Sequence, residues 1–183
     1  MPRLAVLAAL LLACGDPVAA PDAGAPDAGP LIQGSPATGD LVVNEVFSRG
    51  AGPDWIELLN RSSATLDLCD YFVTDSIDRL DHYLPLGGVA PPDPCSPRLL
   101  GPGEYLVVYA DGNPGAGLDH APFKLGAADE AHVVSATGLP IDTFVYLHPD
   151  TAVGQSLARQ PDGDGLFHLA APSPGASNPE PAP

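Results

Sequence analysis

The spacing of the apolar runs limits what this chain can fold into more than any other feature. LVVNEVF (41–47), DWIELLN (54–60), TLDL (65–68), YFVTDS (71–76), EYLVVYA (104–110), AHVVSA (131–136), IDTFVYL (141–147) and QSLARQ (155–160) are all short and rich in β-branched or aromatic residues. RGAGP, GPG (101–103), DGNPGAG (111–117) and TGLP (137–140) stand between them. Such Gly- and Pro-bearing clusters end extended segments and build turns. Outside the N-terminal segment no run keeps helical apolar spacing for about 12 residues, the length at which a helix becomes worth forming. Many short strands with frequent turns predict an all-β fold, a sandwich or a barrel.

The two ends of the chain read differently. Met1-Pro2-Arg3 places a positive charge before the apolar run Leu4–Leu12. That run is far below the about 20 residues a membrane-spanning helix needs, and a short apolar run behind a positive start reads as a secretory signal. LLAC (11–14) then resembles a bacterial lipobox, which implies that Cys14 is lipidated and becomes the new N-terminus. An ordinary cleaved signal followed by a free thiol is the alternative. Several acyl chains give stable anchoring, at about 0.8 kcal/mol per buried CH₂. PDAG occurs twice, at 21–24 and 26–29. Pro stiffens such a segment, and Gly and Ala give it nothing to bury, so it is a tether. PSPGASNPEPAP (172–183) is equally poor in core-forming residues. The expected organisation is a signal peptide at 1–13, a disordered Pro/Ala/Gly/Asp-rich tether at 14–39, a folded domain at 40–178 and a disordered tail at 179–183.

Within 41–178 the motifs become recognisable as a set. LVVNEVF, then DWIELLN, then YFVTDS, followed by LGPGEYLVVY (100–109), FKLG (123–126), GLPIDTFVY (138–146), SLARQPDGDGLF (156–167) and PSPGASN (172–178), resemble a lamin tail domain. The resemblance implies an immunoglobulin-like β-sandwich. In bacteria such domains occur on secreted and surface proteins, often beside hydrolase domains. The heptad-repeat rod of nuclear lamins has no counterpart here.

Export also bears on the remaining cysteines. Cys69 and Cys95 are 26 positions apart, the second inside the irregular stretch DRLDHYLPLGGVAPPDPCSPRLL. An oxidising compartment favours a disulfide between them. Closing that loop is worth roughly 3 kcal/mol in the chain-entropy picture.

The charge excludes one class of partner. Seven Lys and Arg against 23 Asp and Glu leave a net charge of −16. Such a chain repels nucleic acid, whose binding depends on neutralising phosphates. Its expected partners are cations, basic proteins or neutral glycans, unless the charge serves solubility alone.

Five carboxylates are candidate metal ligands. PDGDG (161–165) places Asp162 and Asp164 in a pattern like part of a calcium loop, but calcium wants six to eight oxygens and no Glu follows at the right distance. A hairpin turn accounts for the same residues. Glu45 and Glu57 lie on strands expected to pair, with Asp54 beside them, and two close carboxylates hold a cation or share a proton. The family resemblance instead implies that they bond backbone or Asn60. His82, His120, His132, His148 and His168 are scattered and read as surface or loop residues. Ser62 and Ser156 have no recognisable base partner, and no G-x-S-x-G elbow occurs. Trp55 reads as a core residue. The expected function is therefore a lipid-anchored, non-catalytic module on a bacterial outer membrane or cell surface. It would contact an envelope or extracellular protein or a glycan, without a cofactor and without nucleic acid. The alternative is a calcium-dependent hydrolase or enzyme accessory domain.

Overall fold

The computed structural model describes residues 37–90 and 93–180. Eleven strands follow one another: β1 (Leu41–Phe47), β2 (Asp54–Asn60), β3 (Leu66–Asp67), β4 (Tyr71–Thr74), β5 (Leu84–Pro85), β6 (Leu99–Leu100), β7 (Tyr105–Ala110), β8 (Asp129–Ser135), β9 (Pro140–Tyr146), β10 (Ser156–Gln160) and β11 (Leu166–Ala170). Four single turns of 3₁₀-helix interrupt them, and no α-helix occurs among the described residues. A five-stranded sheet has the order β11-β10-β1-β2-β7, and a four-stranded sheet has the order β5-β4-β8-β9. β3 and β6 form a short ribbon. Every strand pairing is antiparallel. This is an all-β sandwich, one of the two forms expected from the strand pattern, and it is the immunoglobulin-like form that the resemblance implies. Cys14 lies outside the described residues.

The core forms between the two large sheets. Val43, Val46, Ile56, Leu58, Val108 and Phe167 of the first meet Val73, Ala131, Val133, Phe144 and Tyr146 of the second. Phe144 and Phe167 stack across the gap with ring centroids 3.5 Å apart. Val43 and Val46 are an odd number of positions apart, so an unbroken strand would point them to opposite faces. A register shift between Val43 and Glu45 resolves this. The bulge puts both valines in the core and turns Asn44 and Glu45 to the outer face.

One buried ion pair ties the sheets together. Arg159 on β10 is fully buried, and its Nη2 donates to Asp142 Oδ2 on β9 at 3.1 Å. Asp142 Oδ2 also accepts from Val43 N at 2.9 Å, while Arg159 Nε donates to Val43 O at 2.7 Å. The guanidinium sits 4.4 Å from the centroid of Phe167, close enough for a cation–π contact. Burial pulls Arg159 below the usual guanidinium range, and Asp142 works against that shift.

Three strands lie outside the runs that the sequence marks. β5 and β6 are only two residues long and sit in the irregular stretch after β4. There the Cys69–Cys95 disulfide, with Cα atoms 5.9 Å apart, fixes the path of the chain. Gly87 is required beside it, since a Cβ there would lie 2.9 Å from Cys69 Cα and closer still to Cys95 Sγ. The third strand, β11, follows the PDGDG turn and pairs with β10 from Ser156↔Ala170 to Gln160↔Leu166.

Candidate functional site

All seven residues of β1 are buried, so its outer face is covered as well as its inner one. The cover is residues 171–178, which leave β11 and cross the outer face of the five-stranded sheet as a strap. Pro172 and Pro174 have no N–H to place. The strap's amides at Ser173, Gly175 and Asn178 each donate to a carboxylate. Ser173 N and Oγ donate to Glu45 Oε1 and Oε2 at 3.1 Å. Gly175 N donates to Glu57 Oε2 at 2.6 Å, and Asn178 N to Asp162 Oδ1 at 3.1 Å. The sequence offered no apolar reason for this segment to be held. Polar bonds hold it instead, and Asn178 is buried.

The rest of the network comes from the strands beneath. Glu45 and Glu57 face each other directly across β1 and β2, and neither is exposed. Asn44 Nδ2 donates to Glu57 Oε1 at 3.0 Å and to Asp162 Oδ1 at 3.2 Å. Its Oδ1 accepts from Gly163 N at 2.9 Å, which fixes the PDGDG turn. Tyr105 OH donates to Asp162 Oδ2 at 3.0 Å. Ser156 Oγ donates to Glu45 Oε1 in a short hydrogen bond. Asn178 Nδ2 closes the network on Asn44 O and Arg159 O.

Burial pushes the carboxyl of Glu57 up to about 7, against the bonds from Asn44 and Gly175, and the nearby Glu45 and Asp162 add to the rise. Burial also raises Glu45, with the bonds from Ser156 and Ser173 opposing. Among the described residues, no side-chain polar atom buried from solvent lacks a hydrogen-bond partner.

Of the five carboxylates singled out from the sequence, Glu45, Glu57 and Asp162 come together; Asp54 and Asp164 do not join them. Asp54 begins β2 opposite Ala110, and burial raises its carboxyl while Lys124 opposes the shift. Asp164 forms a close ion pair with Arg61. Among the described residues no group of three or more His, Cys, Asp and Glu is arranged to hold a metal ion. Of the two partners expected for the glutamates, backbone or Asn60, the structure shows backbone, through Ser173 N and Gly175 N. Asn60 donates to Ala64 O at 2.8 Å and Leu100 O at 2.9 Å, bracing the loop after β2.

One histidine departs from the surface-or-loop reading. His132 on β8 is buried, with Nε2 2.7 Å from Glu130 and Nδ1 3.0 Å from Thr143. His82 Nδ1 lies 2.6 Å from Asp75, and His120 Nδ1 lies 2.7 Å from Asp111. Sequence distance alone gave no hint of the last two pairs, because loops bring them together. Trp55 is 6% exposed and stacks on Phe47 with centroids 5.5 Å apart, on the outer side of the sheet away from the main core.

Among the described residues, a cleft of about 540 Å³ is lined by Asp75, Asp78, Asp129 and Glu130, with Arg79, His82 and Tyr146 among the others. Burial raises Asp129, and the charges of Asp75 and Glu130 add to it. Val145 and Leu147 stand at the cleft, 51% and 60% exposed. These two side chains leave apolar surface in water beside the carboxylates of the cleft.

Comparison with known proteins agrees with this architecture. The family model described as Lamin Tail Domain matches residues 34–148. No curated protein matches the chain. β10, β11 and the strap lie beyond the matched stretch, yet β10 pairs with β1 and completes the same sheet. The match spans more than half of the chain, which therefore belongs to the lamin tail domain family.

Proposed function

We propose that this protein is a lipid-anchored, non-catalytic module of a bacterial cell envelope, tethered through Cys14 to the outer membrane or cell surface, which presents its sandwich to an envelope or extracellular protein or a glycan. The observation that carries the reading is the use of the two buried, directly opposed carboxylates. Glu45 and Glu57 are held by the chain's own C-terminal strap, so they serve the fold. The acidic cleft with Val145 and Leu147 at its margin supplies the contact face. LLAC at the end of an apolar run supports the anchor.

Fractionation of cells expressing the full chain tests it. The wild-type protein is expected with membranes, labelled by a clickable fatty acid, and Cys14→Ser is expected in the soluble fraction without label. Membrane association and labelling that survive Cys14→Ser contradict the anchor. Asp129→Lys with Asp78→Lys in the soluble domain then tests the contact face. These changes should abolish co-purification of a partner first cross-linked to the wild-type domain, and retained co-purification moves the face elsewhere.

A further inference from the structure

The strap and its seat form a unit with an unusual charge balance. Three carboxylates, Glu45, Glu57 and Asp162, meet under residues 173–178, and every donor bonded to them is neutral: Asn44, Tyr105, Ser156, Ser173, Gly175 and Asn178. Among the described residues, none of the hydrogen bonds or ion pairs given for Glu45 and Glu57 comes from a cation. β1 supplies Glu45, β2 supplies Glu57, β7 supplies Tyr105 and the β10–β11 turn supplies Asp162. His168 is on the same face but two strands away, beyond Ala158. Arg61 flanks the turn and is engaged with Asp164 and Gly39 O. Arg159 points into the core toward Asp142.

Like charges directly opposed on neighbouring strands repel, and burial denies them the water that would screen the repulsion. A proton on one of the two glutamates relieves both effects. Opening the strap exposes the same carboxylates to water, where they ionise in the ordinary way. We infer that closure of the strap takes up a proton at the Glu45–Glu57 pair, which makes residues 171–178 a pH-operated cover over the outer face of the five-stranded sheet.

Linkage sets the sign. The closed state binds the proton more tightly, so acid favours closure and rising pH favours opening. With Glu57 near 4.5 when open and about 7 when closed, the opening constant rises roughly 25-fold between pH 5.5 and pH 8. Neither the anchor nor any partner enters into this equilibrium.

Amide hydrogen exchange on the soluble domain tests it. The protection factor of the Gly175 amide, corrected for the intrinsic rate at each pH, should fall at least tenfold from pH 5.5 to pH 8. It should stay below that of the Ile56 amide throughout, because the strap opens without global unfolding. In Glu57→Gln, which keeps an acceptor for Gly175 N and cannot ionise, the fall should shrink to under threefold. An unchanged Gly175 protection factor in wild type, or the full pH dependence in Glu57→Gln, overturns the inference. A carboxyl-carbon NMR titration of the wild-type domain needs no variant. A Glu57 midpoint well above the ordinary carboxylate range supports the inference, and a midpoint near 4.5 overturns it.

Discussion

Asp142→Asn tests how the two sheets are held together. Asp142 is 2% exposed and Arg159 is fully buried. The substitution keeps the size of the side chain and removes the negative charge beside the guanidinium. In either orientation the new side-chain amide also sets an N–H₂ against donors, Val43 N and Arg159 Nη2 at the Oδ2 position or Thr38 N and Arg159 Nη2 at the Oδ1 position. Breaking a buried pair from one side costs about 3 to 5 kcal/mol, because the remaining charge stays out of water. A domain of this size has a total stability of about 5 to 15 kcal/mol. Urea unfolding followed by Trp55 fluorescence measures the loss. With a slope near 2 kcal/mol/M, a cost of about 4 kcal/mol lowers the midpoint by about 2 M at unchanged slope. Asp142→Leu with Arg159→Met, which removes both charges together, should recover part of that loss. A midpoint within about 0.5 M of wild type for Asp142→Asn refutes the reasoning, since it would mean that the charge at Arg159 needs no opposing carboxylate.

Other outcomes follow from the same coordinates. Replacing Cys69 and Cys95 together by Ser opens the loop of 26 residues and should cost roughly 3 to 4 kcal/mol, read from the same urea curves. Trp55→Ala should cost about 3 to 5 kcal/mol, because the ring is 6% exposed and stacked on Phe47; a near-neutral result would make it a surface contact instead.

Much of the sandwich was legible because short apolar runs bounded by Gly and Pro leave few alternatives. β1 and β2 occupy the very runs LVVNEVF and DWIELLN. Two-residue strands such as β5 and β6 carry no periodicity to read; the Cys69–Cys95 disulfide and the burial of Leu84, Leu86 and Leu100 hold this stretch in place. The strap was hidden for another reason. PSPGASN has almost nothing to bury, and its order comes from three amides meeting carboxylates contributed by residues more than a hundred positions earlier and by the Asp162 turn. Glu45, Glu57 and Asp162 stood out as charged residues, but their partners Asn44, Ser173 and Asn178 are uncharged and gave no chemical signal. Asp142 and Arg159 were equally silent, since a charge within a strand reads as solvent-facing until the opposite sheet is placed.

The central claim is that the buried carboxylates hold the chain's own C-terminal segment. Thermal unfolding of the domain with and without residues 171–183 tests it most directly. Deletion removes the hydrogen bonds that Ser173, Gly175 and Asn178 make to Glu45, Glu57 and Asp162, at a cost of about 3 kcal/mol or more. The predicted result is a Tm lowered by about 6 °C or more. A truncated domain that melts at the same temperature as the full one would contradict the claim.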